Sequence, residues 1–411
     1  TVAQRQESEY LHALLQLSIE QAPSDTDTYL AVLKFLGAVG KGSTAARQLC
    51  EYLGKSNYRF QWAFFFSTIE RYVMSMQQQS IQGTRTLRPL QPMDVEGLVA
   101  ISKIIEVVAR NSDTARATLL GSKTWRPLEN LFGLLCCPVQ TVVKAALTDA
   151  IAAFAATPQT ATLIWHYLEA SQVLRTVGSP EGGIRAELED VEAAQRTYPF
   201  ARAFLRLLDQ LLHAGPLPDN VGAGKRTPGV LPYIQFVHDS IFLKLDARGY
   251  ANETEKWSLH ETCLKVILSV LQNTRPSEAD MSSDPQACHS PLYETLLNFL
   301  ELEQSRQLLL KVISRGSDTL EADHSFEYGP SFEMSVIYSL RILDALLSQE
   351  EFYLSRGNLS SRSGGILRRL HDSILSDQAP LFSIAKLLAY RLSPTIPLFA
   401  ARVLYRLSKQ S

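Results

Sequence analysis

Along nearly all of this chain, apolar side chains return every three or four positions, and that spacing limits what the chain can fold into. Val139, Val142, Val143, Ala146, Leu147, Ala150, Ile151 and Phe154 fall on one side of a helix. Phe200, Phe204, Leu207, Leu208 and Leu211 repeat the arrangement, as do Leu259, Cys263, Val266, Ile267, Val270 and Leu271, and Val336, Leu340, Leu343 and Leu347. Alternating apolar and polar runs, the strand signal, are scarce, so the pattern predicts an all-α chain. Roughly eighteen helices of about 10–20 residues are expected, joined mostly by short turns. Thr157-Pro158, Ser112-Asp113, Ser43-Thr44 and Ser290-Pro291 read as helix starts.

Each stripe has to be buried against a neighbour. The chain carries neither the tetratricopeptide spacing of Trp, Gly, Tyr and Pro nor an ankyrin-type Thr-Pro-Leu-His. Irregular hairpins without a signature fit an α-solenoid superhelix of HEAT- or armadillo-like helical hairpins, in which each hairpin is covered by the next. The expectation is one continuous segment over residues 1–411, with possible sub-boundaries near 79–92, 215–229, 273–290 and 316–330, where Pro, Gly, Ser or Asp cluster. Two globular helical bundles are the alternative. A chain with 45% hydrophobic and 20% charged residues has the apolar content to fold.

Forty Lys and Arg against forty-two Asp and Glu, a net charge of −2, exclude a broad basic face for nucleic acid. Five cysteines, none in a CxxC pair, provide neither a disulfide framework nor a zinc ribbon, which fits a reducing compartment. The triplets Asn252-Glu-Thr254 and Asn358-Leu-Ser360 read as unglycosylated. No apolar run reaches the length needed to span a bilayer. The start, Thr1-Val-Ala-Gln-Arg-Gln-Glu, reads as that of a piece of a longer protein.

Catalytic and ligand motifs fail one after another. Gly37–Thr44 evokes a phosphate loop, but Gly42 interrupts the Gly-Lys-Ser/Thr and a helix precedes it, so a glycine stop and a Ser/Thr cap explain it better. Gly222-Ala-Gly224 lacks the third glycine and the preceding strand of a dinucleotide site. His260-Glu261 is followed by Leu264 where a zinc protease needs a second His, and no Gly-x-Ser-x-Gly elbow exists. Cys288-His289 reads as a loop, and Cys136-Cys137 as two buried small side chains at a helix end. Glu181, Glu187, Glu189, Asp190 and Glu192 read as a solvated acidic face. Arg85 and Arg88, Lys225 and Arg226, and Arg362, Arg368 and Arg369 read as salt-bridge partners. In Phe60-Gln-Trp62-Ala-Phe64-Phe65-Phe66, three consecutive phenylalanines cannot share one stripe, so at least one faces an adjacent layer or a partner. These readings imply no enzyme activity, no metal and no cofactor.

The stretch Asn220–Phe236 reads Asn-Val-Gly-Ala-Gly-Lys-Arg-Thr-Pro-Gly-Val-Leu-Pro-Tyr-Ile-Gln-Phe. It resembles the Asn-Leu-Gly-Ala-Gly-x-Arg-x-Pro-Gly and Pro-Tyr-Leu-Gln-Phe of the large inner-ring scaffold nucleoporins of the 205/192 type. Trp125-Arg-Pro-Leu128, Phe132-Gly-Leu-Leu135, Trp165–Glu169, Glu187–Glu189, Tyr198–Phe204, Asp239–Leu243 and Glu255-Lys256-Trp257 resemble the same family in the same order. The resemblance covers Gly97 to Leu271, and departs at Ala201 and at Val230-Leu231.

It implies the middle part of a much longer non-enzymatic α-solenoid of the nuclear pore complex inner ring at the nuclear envelope. Such a segment would bind other nucleoporins through short linker segments and support nucleocytoplasmic transport, with no nucleic acid and no transmembrane segment. A karyopherin-like transport-receptor module is the alternative. The residues of the motif have their own reading: Gly222, Gly224 and Gly229 permit positive φ, Pro228 and Pro232 stiffen the return, and Arg226 can cap helix carbonyls. With Asn220 and Tyr233 they would form a structural elbow between two stacked layers.

Overall fold

The computed structural model describes residues 26–55, 60–81, 90–176, 182–215, 217, 230–281, 289–320, 328–356 and 369–409. Among them there are helices and turns and no strand, as the periodicity requires. The chain forms two compact units, Thr1–Glu187 with Pro199–Gly215, and Leu188–Tyr198 with Pro216–Ser411.

In the first unit the described helices are α1 (Thr26–Val39), α2 (Ser43–Leu53), α3 (Trp62–Ile81), α4 (Pro92–Asn111), α5 (Asp113–Gly121), α6 (Pro127–Leu135), α7 (Thr141–Phe154), α8 (Pro158–Ser171) and α10 (Pro199–Ala214). They pack in two rows. In one, α1 lies against α4, α4 against α7 and α7 against α10; in the other, α3 lies against α6 and α6 against α8. A helix held between two row neighbours needs more than one apolar stripe. α7 meets this with alanines: Ala145, Ala150, Ala152 and Ala153 are buried together with Val143, Leu147, Ile151 and Phe154. α10 likewise buries ten of its sixteen residues, among them Phe200, Phe204, Leu207 and Leu211, and keeps Arg206 outside.

The second unit is built the same way. α9, which starts as Ile184–Ala186 in the first unit's stretch, widens to a π-helical turn over Glu187–Glu192 and closes at Ala193–Gln195, enters the second unit at Leu188. α11 runs from Leu231–Gln235 through a second π-helical stretch, Phe236–Ile241, into a 3-10 turn at Phe242–Lys244. Then come α12 (Glu253–Asn273), α13 (Pro291–Glu301), α14 (Glu303–Thr319), α15 (Pro330–Leu354), α16 (Leu370–Leu375), α17 (Gln378–Lys386) and α18 (Thr395–Lys409). α12, α15 and α18 form one row; the 3-10 turn ending α11, then α14 and α17, form the other.

Side-chain bonds between row neighbours repeat at nearly constant sequence separation. In the first kind of row, Arg206–Asp149, Arg406–Asp344 and Arg341–Gln272 join residues 57, 62 and 69 apart. In the second, Arg126–Glu70, Lys311–Asp246 and Lys386–Asp318 join residues 56, 65 and 68 apart. That constancy is the signature of a solenoid, where each layer touches only the next.

The helix starts read from the sequence are present, with one exception. Ser112, Thr157 and Ser290 accept hydrogen bonds from the backbone N–H groups of Ala115, Thr160 and Tyr293. At α2, however, Gly42 is the cap residue and no side chain bonds to the helix end, so Ser43 opens the helix without capping it. Asn252, part of a glycosylation triplet, spends its side chain capping α12 at Glu255 N, 2.8 Å away. Gly316, read as part of an irregular stretch, is helical within α14. The reason is packing: a Cβ there would sit 2.6 Å from a methyl of Val336, so α14 and α15 approach too closely for any side chain.

Candidate protein-binding surface

Of the proposed elbow, Asn220, Gly222, Gly224, Arg226, Pro228 and Gly229 lie outside the described residues, as do Glu181, Cys288, Asn358, Arg85, Arg88, Lys225, Arg362 and Arg368. Pro232 and Tyr233 are described, in the first turn of α11, and the Tyr233 ring is buried. The continuation of the motif through Asp239–Leu243 builds core. Phe236, Val237, Ile241 and Phe242 are all buried, and the π-helical turn carries His238 inward. His238 Nε2 lies 2.9 Å from Ser305 Oγ on α14, and Phe242 packs on Phe299 of α13 with centroids 5.6 Å apart. A wider helical turn brings a polar ring and an aromatic ring to the same neighbouring layer.

The acidic cluster is not the solvated face expected from its spacing. Glu187 forms an ion pair with the buried Lys144 of α7. Glu189 holds Lys244 at 2.9 Å and Arg248 at 2.9 Å. Burial works to raise the Glu189 carboxyl, but the hydrogen bonds from Arg248 and Lys244 outweigh it and hold the group below its usual range. Glu192 is fully buried and Glu187 partly buried, while Glu189 and Asp190 stay exposed. Sequence spacing missed this because the partners sit 43, 55 and 59 residues away.

Two buried carboxylates perform one task that the sequence did not disclose. Asp280 accepts from Ser277 N at 2.8 Å and Oγ at 3.1 Å, from Ser290 N at 2.5 Å and Oγ at 2.6 Å, and from Tyr353 OH at 3.0 Å. Glu350 accepts from Leu370 N at 2.7 Å and His371 N at 3.4 Å. Each therefore binds backbone N–H groups at the head of a helix it does not belong to, α13 and α16, where the helix dipole favours negative charge. The half-buried Glu255 takes a backbone donor in the same manner, from Tyr198 N at 2.6 Å.

Burial outweighs the two backbone hydrogen bonds at Glu350 and raises its carboxyl above the ordinary 4.5. A raised carboxyl binds its proton more tightly in the folded chain, so its contribution to stability is complete below pH 4.5 and is lost as pH rises through the folded value. Glu350→Gln removes that dependence. The melting temperature of the parent chain relative to Glu350→Gln should rise as pH falls from 7 toward 4.5, and a constant difference would contradict the assignment.

The remaining candidates are structural. Cys137 is buried, but Cys136 is exposed, with its thiol 3.5 Å from the Ser171 carbonyl, which corrects the reading of two buried thiols. His289 packs at a tilt against Tyr293, with ring centroids 4.7 Å apart. Among the described residues no group of three His, Cys, Asp or Glu is placed to hold a metal. His260 is buried and kept neutral, its imidazole pushed down to about 3 by burial, and it borders a cavity of about 20 Å³, room for a water-sized group. Phe65 and Phe66 are buried while Phe64 is 40% exposed, so the phenylalanine run does send one ring outward.

Among the described residues the most exposed large apolar side chains lie toward the end of the chain: Phe382, Leu392, Leu398 and Tyr405 are 73%, 79%, 56% and 68% exposed. On α18 one stripe, Ile396, Ala400, Val403 and Leu407, is buried, and Leu398, Arg402, Tyr405 and Lys409 line another face. No described helix is long and apolar enough to cross a membrane.

Comparison with known proteins matches residues 13–411 to the family described as nuclear pore complex scaffold, nucleoporins 186/192/205. The match is wider than the Gly97–Leu271 stretch that carries the sequence resemblance. The chain is similar to nuclear pore complex protein Nup205 of Homo sapiens, 28% identical over 356 residues, which cover 79% of this chain and 18% of that protein. It is also similar to Nup205 of Drosophila melanogaster, 29% identical over 333 residues, 77% of this chain and 16% of that protein. NUP205 of Arabidopsis thaliana is 25% identical over 344 residues, 77% of this chain and 17% of that protein. The chain thus spans less than a fifth of the length of the curated relatives it matches.

Proposed function

The chain belongs to the nuclear pore complex scaffold family of nucleoporins 186/192/205, and we propose that it serves there as a binding segment of an α-solenoid in the inner ring at the nuclear envelope. Its work is to hold other nucleoporins, through short linker segments laid along its helices, and so to support nucleocytoplasmic transport. It carries out no catalysis and takes no cofactor or nucleic acid. The observation that carries this reading is the layer-to-layer bonding at 56 to 69 residues of separation, which spends the chain's length on surface instead of on one enclosed pocket.

The Asn220–Gly229 stretch with Pro232 and Tyr233 acts in this reading as a rigid elbow between layers, a structural feature more than a contact site. Gly224→Val should then lower the melting temperature; a variant that melts normally and loses a partner would make the stretch a binding site.

The function is tested by expressing the tagged chain in cells and mapping cross-links from the purified chain to individual nucleoporins. Rim staining with cross-links to named nucleoporin segments is expected. Tight, nucleotide-dependent binding to a Ran-type GTPase would instead support the karyopherin-like alternative.

A further inference from the structure

We infer that the second unit binds one internal water molecule between His260, on α12, and Asp246, in the turn after α11, and that this water is a fixed part of the joint between those elements and α14. The inference stands on local geometry and does not depend on the scaffold reading above.

His260 is 2% exposed, and neither its Nδ1 nor its Nε2 has a hydrogen-bond partner among the described residues. A neutral imidazole carries one N–H donor and one bare acceptor nitrogen, and a buried polar group left unpaired is costly, so both nitrogens need a partner. The neighbouring rings do not supply one. Trp257, with its centroid 4.8 Å away, donates its Nε1–H to Glu253. Tyr250, at 6.5 Å, donates its hydroxyl to the Leu245 carbonyl. Protonating the ring offers no escape, because burial and the cations Lys256, Arg315 and Lys311 disfavour a charged imidazole more than Asp246 favours it.

The cavity of about 20 Å³ that His260 borders has the size of the missing partner. A water needs about 10–15 Å³ of such space, so one molecule fits and a second does not. Asp246 and Lys256 share the cavity wall with His260, one able to accept and the other to donate, while Phe242, Leu264 and Val312 close it with apolar surface. Water suits this wall because it donates and accepts at once. A metal ion would meet one imidazole and one carboxylate beside three cations, too few ligands to hold it. Asp246 already takes Lys311 of α14 at 2.7 Å. The water therefore extends that layer-to-layer ion pair inward to α12, giving the joint a polar core inside an apolar seam.

A crystal structure of the full 411-residue chain, at a resolution that shows ordered internal water, tests the site directly. One peak is expected in the cavity, about 2.7–3.2 Å from a His260 nitrogen and within hydrogen-bonding reach of Asp246. A cavity without a peak, a peak with the anomalous signal of an ion, or imidazole nitrogens bonded to protein groups overturns the inference. In solution, magnetic relaxation dispersion counts the long-lived internal waters. His260→Phe, which has no ring nitrogen and a slightly larger ring, should lower that count by one, and an unchanged count in the folded variant overturns the inference. Should His260→Phe fail to fold, ring-¹⁵N NMR of the parent decides. A neutral His260 ring held in one tautomer, with a cross-peak from a ring nitrogen's proton or its neighbour to bound water, is expected. A ring that exchanges between tautomers without that cross-peak overturns the inference.

Discussion

Asp280→Ala should melt the second unit at a temperature lower by roughly 6–20 °C, the largest single loss expected outside the aromatic core. The carboxylate is buried and accepts five hydrogen bonds, from Ser277, Ser290 and Tyr353, so alanine leaves several buried donors with no acceptor. Each such donor costs about 1–3 kcal/mol, and a total of about 3–6 kcal/mol follows even if some find new partners. Asp280→Asn keeps the shape but turns an NH₂ toward N–H and O–H donors, and should recover about half of the loss. Calorimetry checks both. A melting temperature within about 2 °C of the parent for Asp280→Ala would show that the clasp is not what joins α13 to Tyr353.

Trp257→Ala should be comparably severe. The indole is 1% exposed and meets Phe332 edge-on at 4.5 Å and His260 at 4.8 Å. Its Nε1 donates to Glu253 at 3.1 Å, and Lys256 and Arg315 each lie 5.4 Å from the ring. Removing it opens a cavity between α12 and α15 and costs about 3–5 kcal/mol. Trp257→Phe retains most of the apolar contact and should cost about half as much. Urea unfolding followed by circular dichroism measures the difference; an alanine variant that loses under about 1 kcal/mol would contradict the packing described.

Why some of this was legible in the sequence and some was not comes down to the distance between partners. Helical stripes and caps are local. Thr157-Pro158 announces α8 because the cap and the N–H it receives are three residues apart. The family resemblance rests on residues whose roles are now visible as core: Tyr233, Phe236, Phe242 and Trp257 are all buried. The clasps were not legible, since Asp280 and Tyr353 are 73 residues apart and nothing between them records the pairing. The acidic cluster misled for the same reason, its cations lying a full layer away. Gly316 looked like a breaker because sequence reveals its flexibility and not the methyl of Val336 beside it. The elbow residues from Asn220 to Gly229 remain a reading of their glycines and prolines.

Bonding confined to adjacent layers has a mechanical meaning. Among the described residues of each unit no central knot exists whose rupture would release everything at once, so pulling on the ends should part the rungs in succession, each at its own modest force. Within either unit, an injury to one rung would be felt by its two neighbours and then fade.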